Sequence, residues 1–305
     1  MLNKRILQSL KSYMKAGELP LMLGLLPYFL SKEKVSMELF RSRLNYSMYK
    51  KIKKRYVGKK VKDYTQKVKR PLKNPIWFMW LQGIDSAPVL VQKNFSYLRK
   101  NFGEQLIEIN SENLSKYIDL PDFILKKKQE NKITNTHFSD LVRIQLLATY
   151  GGTWIDSTVL VEKKYFRKLP DIVIPRTLKP GKDGNIIPIS SWFLKFPANN
   201  PLIVRTRNLL FNYWEKNNQL IDYFLLHYYI VIASKELDGY IEDLPPIDNS
   251  LPHYLMLEMR KRPLDVDEIK NKMKYSRLIK LTNKTVSAYE NDNYSRLISI
   301  LETWS

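Results

Sequence analysis

Two glycines constrain the middle of this chain more than any other feature. Gly151-Gly152 separate an amphipathic run from about 137 to 150 from a short aromatic stretch, Thr153-Trp154-Ile155-Asp156-Ser157-Thr158. A glycine pair after an apolar-periodic segment ends a helix in a left-handed C-terminal cap, so the chain must run helix, sharp turn, strand. At ~1.5 Å per helical residue, Asp140 stands ~16 Å from Gly151. An extended strand at ~3.3 Å per residue brings Asp156 back over about the same distance. Asp140, Arg143 and Asp156 should therefore meet at one end of the unit. Two carboxylates and a guanidinium at a strand end suit a divalent cation, a diphosphate and a sugar.

The 305 residues, 44% of them hydrophobic, suffice for one α/β domain with an appendage. There is no cysteine, which excludes disulfides, thiolate-zinc sites and cysteine nucleophiles and suits a reducing compartment. Three histidines, His137, His227 and His253, argue against an all-histidine metal site. The net charge of +21 is concentrated: residues 1–75 hold twenty Lys/Arg against four Asp/Glu, while the remainder is nearly balanced.

Within that basic region Leu19–Leu30 is largely apolar but too short for a membrane span of ~20 residues. Pro20, Gly24 and Pro27 also interrupt it, and no small-residue cleavage site follows, so a signal peptide is not expected. Lys50-Lys51-Ile52-Lys53-Lys54-Arg55 and Lys59-Lys60-Val61-Lys62 come next. Apolar residues beside dense cations fit an arm, residues 1–73, lying on an anionic cytoplasmic leaflet at ~1 kcal/mol per basic residue. The competing reading is a solvated basic helical arm packed on its own domain. Tyr46, Tyr49, Tyr56 and Tyr64 form no base-stacking module, so nucleic acid is not an expected partner.

Pro71 and Pro75 close the arm, and the domain 74–305 begins with a continuous apolar strand, Ile76–Leu81, ended by Gln82-Gly83. A helix over 88–100 and a strand over 105–110 follow, with Ser111 or Asn113 capping a short helix and Pro121 opening another. Further strands are expected at 153–161, 171–175 and 186–196, with a turn at Pro180–Gly184 between the last two. Helices near 200–216 and 221–236, a Pro-rich loop at 245–252, a strand near 277–282 and a terminal helix complete the pattern. Strand–helix alternation giving way to mixed elements predicts an α/β nucleotide-binding fold. In such sheets ligands bind outside the carboxyl ends of strands, which makes Trp80, Gln82 and Gly83 a wall for a base and ribose.

The pattern Ser139-Asp140-x-x-Arg143, then Gly151-Gly152-x-Trp154-x-Asp156, resembles the sugar-nucleotide signature of the capsular polysaccharide synthesis protein family, a relative of glycosyltransferase family 32. Ile76–Gly83 is similar to that family's first strand, Ser190-Ser191-Trp192-Phe193 with Asn200-Pro201 to its post-motif strand and turn, and Asp222–Tyr228 to its Asp-Tyr-Phe-hydrophobic-x-His helix. Asn249 with Pro252-His253, and Lys280–Lys284, resemble its C-terminal segments. The likeness spans roughly 74–285 and leaves the basic arm outside.

This resemblance implies a GT-A-like, Rossmann-type fold that binds a nucleoside-diphosphate sugar, a UDP-sugar by expectation, and transfers the sugar with retention of configuration. By motif position, Asp140, Arg143 and Asp156 would be catalytic, and Trp80, Gln82, Gly83, Ser139, Trp154, Thr158, Lys280 and Lys284 would bind the donor. Ser191, Asp222, His227 and His253 would face the acceptor, a polyprenyl-diphosphate-linked glycan on the inner face of the plasma membrane. Asp156 would be the metal ligand for Mn²⁺ or Mg²⁺. Two departures weaken that metal: Thr158 stands at the second carboxylate position of the Asp-x-Asp element, and Ile279 where the family often has histidine. If the metal is weak, Arg143, Lys280 and Lys284 must neutralise the diphosphate. Two other readings fit less well: a protein-glycosylating, toxin-like transferase, and a non-catalytic basic membrane- or nucleic-acid-binding protein on a degenerate transferase scaffold.

Overall fold

The computed structural model describes residues 13, 14, 16–31, 33–179, 184–284 and 287–303. All of the expected 180–184 turn except Gly184 lies outside them. In chain order come α1 (Leu19–Gly24), α2 (Leu26–Leu30), α3 (Lys34–Tyr56), β1 (Ile76–Met79), α4 (Val89–Phe102), β2 (Leu106–Ile109), α5 (Asp122–Gln129), α6 (Asn135–Tyr150) and β3 (Gly152–Ile155). The second half comprises β4 (Val159–Val161), α7 (Lys163–Phe166), β5 (Pro175–Arg176), β6 (Phe193–Phe196), α8 (Pro201–Lys216), α9 (Leu225–Glu236), β7 (Ile247–Asp248), α10 (Tyr254–Met259), α11 (Val266–Met273), β8 (Leu278–Lys280) and α12 (Ala288–Thr303).

The central sheet has the order β2-β1-β3-β6, with β1 parallel to both β2 and β3, and β6 antiparallel to β3. Side chains alternate across a strand, so neighbours on β1 enter different layers. Ile76 and Phe78 pack with Leu90, Val91 and Leu98 of α4 on one face, whereas Trp77 and Met79 pack with Leu141 and Ile144 of α6 on the other. Both faces are thus covered, which explains why β1 reads as an unbroken apolar run. With α4 leading to β2 and α6 leading to β3 on opposite faces, the carboxyl end of β1 is a topological switch point. This is the GT-A-like, Rossmann-type arrangement.

The helix–Gly-Gly–strand unit forms as its sequence requires. Thr134 caps α6, its hydroxyl accepting from the amide of His137 at 3.2 Å. Gly151 and Gly152 both have positive φ, 67° and 89°. A Cβ at Gly151 would stand 2.4 Å from the Ala198 nitrogen, and one at Gly152 2.2 Å from the Pro75 oxygen. Neither position admits a side chain, so α6 folds back tightly onto β3.

Three expected strands are shorter than their apolar patterns. The run 153–161 divides into β3 and β4, which belong to different sheets. Asp156 and Thr158 lie in the turn between them, closed by the Val159 amide donating to the Asp156 carbonyl at 2.9 Å. Over 171–175 only Val173 and Pro175, the first residue of β5, pair, and over 186–196 only Ile189 and β6. Asn113 braces the exit of β2 instead of capping a helix: its amide donates to the Glu108 carbonyl at 2.8 Å and its carbonyl accepts from the Asn110 amide at 2.9 Å.

The basic arm is built into the body. Phe40, Leu44, Met48, Ile52 and Tyr56 recur every four residues and form the buried face of α3. Tyr49 and Tyr56 pack against Tyr228 and Tyr229 of α9, at ring-centroid distances of 6.1 and 5.5 Å. Beyond α3 the chain is strapped down by Glu236, which accepts from the Gly58 amide at 2.7 Å, and by an Asp63–Arg207 ion pair at 2.8 Å. The boundary at residue 73 therefore marks a change in charge, and core contacts cross it.

Candidate active site

A cleft of 540 Å³ opens at the carboxyl ends of β1 and β3. Of the residues singled out from sequence, Trp80, Gln82, Ser139, Asp140, Arg143, Trp154, Asp156, Thr158, Ser191, His227, Lys280 and Lys284 line it. Gly83, Asp222 and His253 do not.

Arg143 is its hub. The guanidinium donates to the Ser191 carbonyl at 2.6 Å and to Asp156 Oδ1 at 2.9 Å, and lies 3.5 Å from Asp140 Oδ1. Its plane sits over the Trp154 ring, 4.7 Å from the centroid, while Trp154 Nε1 donates to the same Asp156 oxygen at 2.8 Å. Asp140 is buried on α6 with a second partner that sequence reading missed. Trp214 Nε1 can only donate, so His137 Nε2 accepts from it at 2.8 Å, and the ring proton sits on Nδ1, 3.3 Å from Asp140 Oδ2. Burial alone would raise the Asp140 carboxyl; His137 and the Arg143 charge more than offset this and hold it below the ordinary carboxylate range. The spacing of His137 three residues before Asp140 was the available signal.

On the opposite wall, Lys280 Nζ donates to Thr158 Oγ1 at 2.6 Å and to the Leu281 carbonyl at 3.1 Å. Burial lowers the Lys280 pKa, with Asp156 pulling the other way. Burial also pushes His227 down to about 4, despite the nearby Asp140 charge, so it faces the cleft as a neutral imidazole at pH 7. Asn135, Thr136, Tyr223, Thr282 and Asn283 also line it, beside Met79, Leu81 and Ser157, and carried no sequence signal that separated them from their neighbours.

The remaining three have other positions. Gly83, at φ 84°, turns the chain after Trp80, its amide donating back to the Trp80 carbonyl at 3.0 Å. His253 Nδ1 lies 2.8 Å from the Asn249 carbonyl, and its ring meets Trp192 edge-on at 5.8 Å, so its contacts are with residues outside the cleft lining. Asp222 is buried away from the cleft, accepting from the Phe224 amide at 2.7 Å, and its neighbour Tyr223 reaches the opening instead.

Burial raises the Asp222 pKa to about 6, with the Phe224 amide and Tyr228 hydroxyl pulling against it. Between the ordinary carboxylate value and about 6 the native state holds a proton that the unfolded chain has lost, so this group costs stability as pH rises through that window. Asp222→Asn keeps an oxygen for the Phe224 amide and removes the buried charge. It should stabilise the protein by about 2 kcal/mol at pH 7.5, the gain shrinking toward pH 5 in urea-unfolding titrations.

The residues present do not fit a divalent cation. Asp156 Oδ1 already accepts two hydrogen bonds, which leaves only Oδ2 of that carboxylate for a cation, and the Thr158 hydroxyl accepts an ammonium where a second metal-binding carboxylate would stand. Among the described residues no group of three or more His, Asp or Glu is gathered for a metal. Ile279 does not face the cleft at all but packs in the apolar core.

A parallel-centred sheet with a polar, cation-rich cleft at its strand ends defines the chain as a GT-A-like α/β protein. It belongs to the capsular polysaccharide synthesis protein family, whose model matches residues 30–298 and so begins within the basic arm. It is 24% identical over 161 residues, 46% of this chain and 37% of the relative, to the O-glycosyltransferase braB of Annulohypoxylon truncatum. It is 28% identical over 96 residues, 28% of this chain and 25% of the relative, to the glycosyltransferase afumC of Aspergillus fumigatus. The matched stretches thus span well under half the length of these curated relatives.

Proposed function

We propose that this chain is a glycosyltransferase that moves one sugar from a nucleoside-diphosphate sugar, a UDP-sugar by preference, to a lipid-linked oligosaccharide during assembly of a capsule or other surface polysaccharide. The observation that carries the reading is the Asp140–Arg143–Asp156 constellation at the strand ends, faced by Lys280 and Lys284. Family membership and the activities in the two relatives' names support it.

In this reading the sugar C1–O bond breaks and its electron pair leaves with the diphosphate, whose growing charge meets the Arg143, Lys280 and Lys284 cations. The acceptor hydroxyl oxygen bonds to C1 on the same face, and its proton passes to the departing phosphate oxygen. Asp140 and Asp156 accept hydroxyls of the transferred sugar, Ser139 and Trp154 border them, and Trp80 and Gln82 flank the base. Ser191, His227 and Tyr223 face the acceptor.

The lipid-linked acceptor and a site on the inner face of the plasma membrane rest on the N-terminal helices. Among the described residues, nine of nineteen exposed large apolar side chains fall between Met14 and Tyr46. Leu39, Tyr46 and Lys53 are seven apart and so share the outer face of α3. Apolar side chains beside unburied lysines suit the surface of an anionic bilayer. No described helix is long and apolar enough to cross a membrane.

Nucleoside diphosphate release from a panel of nucleotide sugars, read by mass spectrometry, tests the proposal with and without anionic liposomes carrying a polyprenyl-diphosphate glycan. The expected result is release that rises with the liposomes and a glycan heavier by one sugar. Absence of release from every donor would sink the reading.

A further inference from the structure

The cleft has the wrong sign of charge at one point for a metal-dependent transferase. β8 runs antiparallel to β4 with Lys280 opposite Val159 and Ile279 opposite Leu160, and the Leu281 amide donates to the Thr158 carbonyl at 2.8 Å. Strand alternation then sends Ile279 into the core and Lys280 toward the cleft. The ladder holds the ammonium at the Thr158 hydroxyl, the position of the second carboxylate in the Asp-x-Asp pattern.

We propose that Lys280, seated on Thr158, takes the place of the divalent cation, so that this chain holds and discharges the donor diphosphate without a metal. Three observations support this. A divalent ion at that point would face a fixed ammonium at contact distance, a repulsion strengthened by the partial burial of the site. Asp156 Oδ1 is committed to Arg143 and Trp154, so that carboxylate would offer a divalent ion a single oxygen, Oδ2. Among the described residues Lys280 and Lys284 form no ion pair with a carboxylate, whereas both cleft carboxylates are matched to Arg143. Two cleft cations thus remain for an anionic ligand, and two phosphate groups supply the complement.

The inference rests on the glycosyltransferase reading, and one titration separates the two. UDP, GDP, CDP and ADP are titrated calorimetrically into the protein in EDTA and again in Mn²⁺. The expected result is binding of one of them with dissociation constants that agree within about twofold between the two conditions. Lys280→Met should weaken that binding about 10- to 100-fold in EDTA, as loss of a charge-assisted hydrogen bond does, and Lys280→Arg should restore most of it. Binding that vanishes in EDTA and returns with Mn²⁺ overturns the inference and leaves the transferase reading standing; so does wild-type affinity in a folded Lys280→Met. No binding of any nucleotide in either condition takes down both.

Discussion

Replacing Arg143 with alanine should lower kcat/KM for sugar transfer by about 10³-fold or more, the cost of removing a preorganised charge at the point where negative charge develops. The Arg143 side chain is 5% exposed and joins α6, the turn after β3 and the Ser191 segment. Its loss leaves Asp140, with only 11% of its side chain exposed, with His137 as its remaining close polar partner among the described residues. An uncompensated buried carboxylate is expensive, so stability should fall as well, by roughly 3 kcal/mol. Arg143→Lys should not rescue either quantity. A single ammonium has no planar fork with which to reach the Ser191 carbonyl and Asp156 together while lying over Trp154. Transfer kinetics and urea unfolding of both variants are the measurements. A lysine variant that turns over at the wild-type rate would show that charge alone, without the fork geometry, is what the site uses.

The part of the site that was legible in the sequence is the part that local rules determine. Two glycines dictate the turn after α6, and known rises per residue place Asp140, Arg143 and Asp156 at one end. What was not legible depends on contacts between distant segments. Val159-Leu160-Val161 continues the apolar pattern of β3, so nothing local announces that the chain leaves one sheet at Asp156 and pairs with β8 more than a hundred residues later. That departure is what brings Thr158 to Lys280. In the Asp222-Tyr223 pair the acidic residue drew attention as chemistry, but the backbone of the turn uses it to cap Phe224, and the tyrosine faces the cleft. The arm shows the opposite case: its charge suggested a separate segment, although the four-residue spacing of Phe40, Leu44, Met48, Ile52 and Tyr56 already described a buried helix face.

Asp156→Asn should separate catalysis from binding. The variant keeps an oxygen to accept from Arg143 Nη2 and Trp154 Nε1, and the backbone bonds of the turn, Asp156 amide to Trp192 carbonyl and Val159 amide to Asp156 carbonyl, are untouched. The melting temperature should therefore stay within about 3 °C of wild type. What changes is the second oxygen, which becomes a donor and can no longer accept a hydroxyl from the ligand, and the negative charge is lost. Transfer should fall about 10²- to 10³-fold in kcat/KM. Affinity for the nucleoside diphosphate should hold or improve, because removing a carboxylate beside an anionic ligand relieves repulsion. A metal-bridged site makes the opposite prediction. There Asp156 would anchor the ion that grips the diphosphate, and its neutralisation would weaken nucleotide binding along with turnover. Calorimetry of the bound nucleotide on this one variant therefore decides whether Asp156 serves the sugar, with Lys280 serving the diphosphate, or serves a cation that holds both.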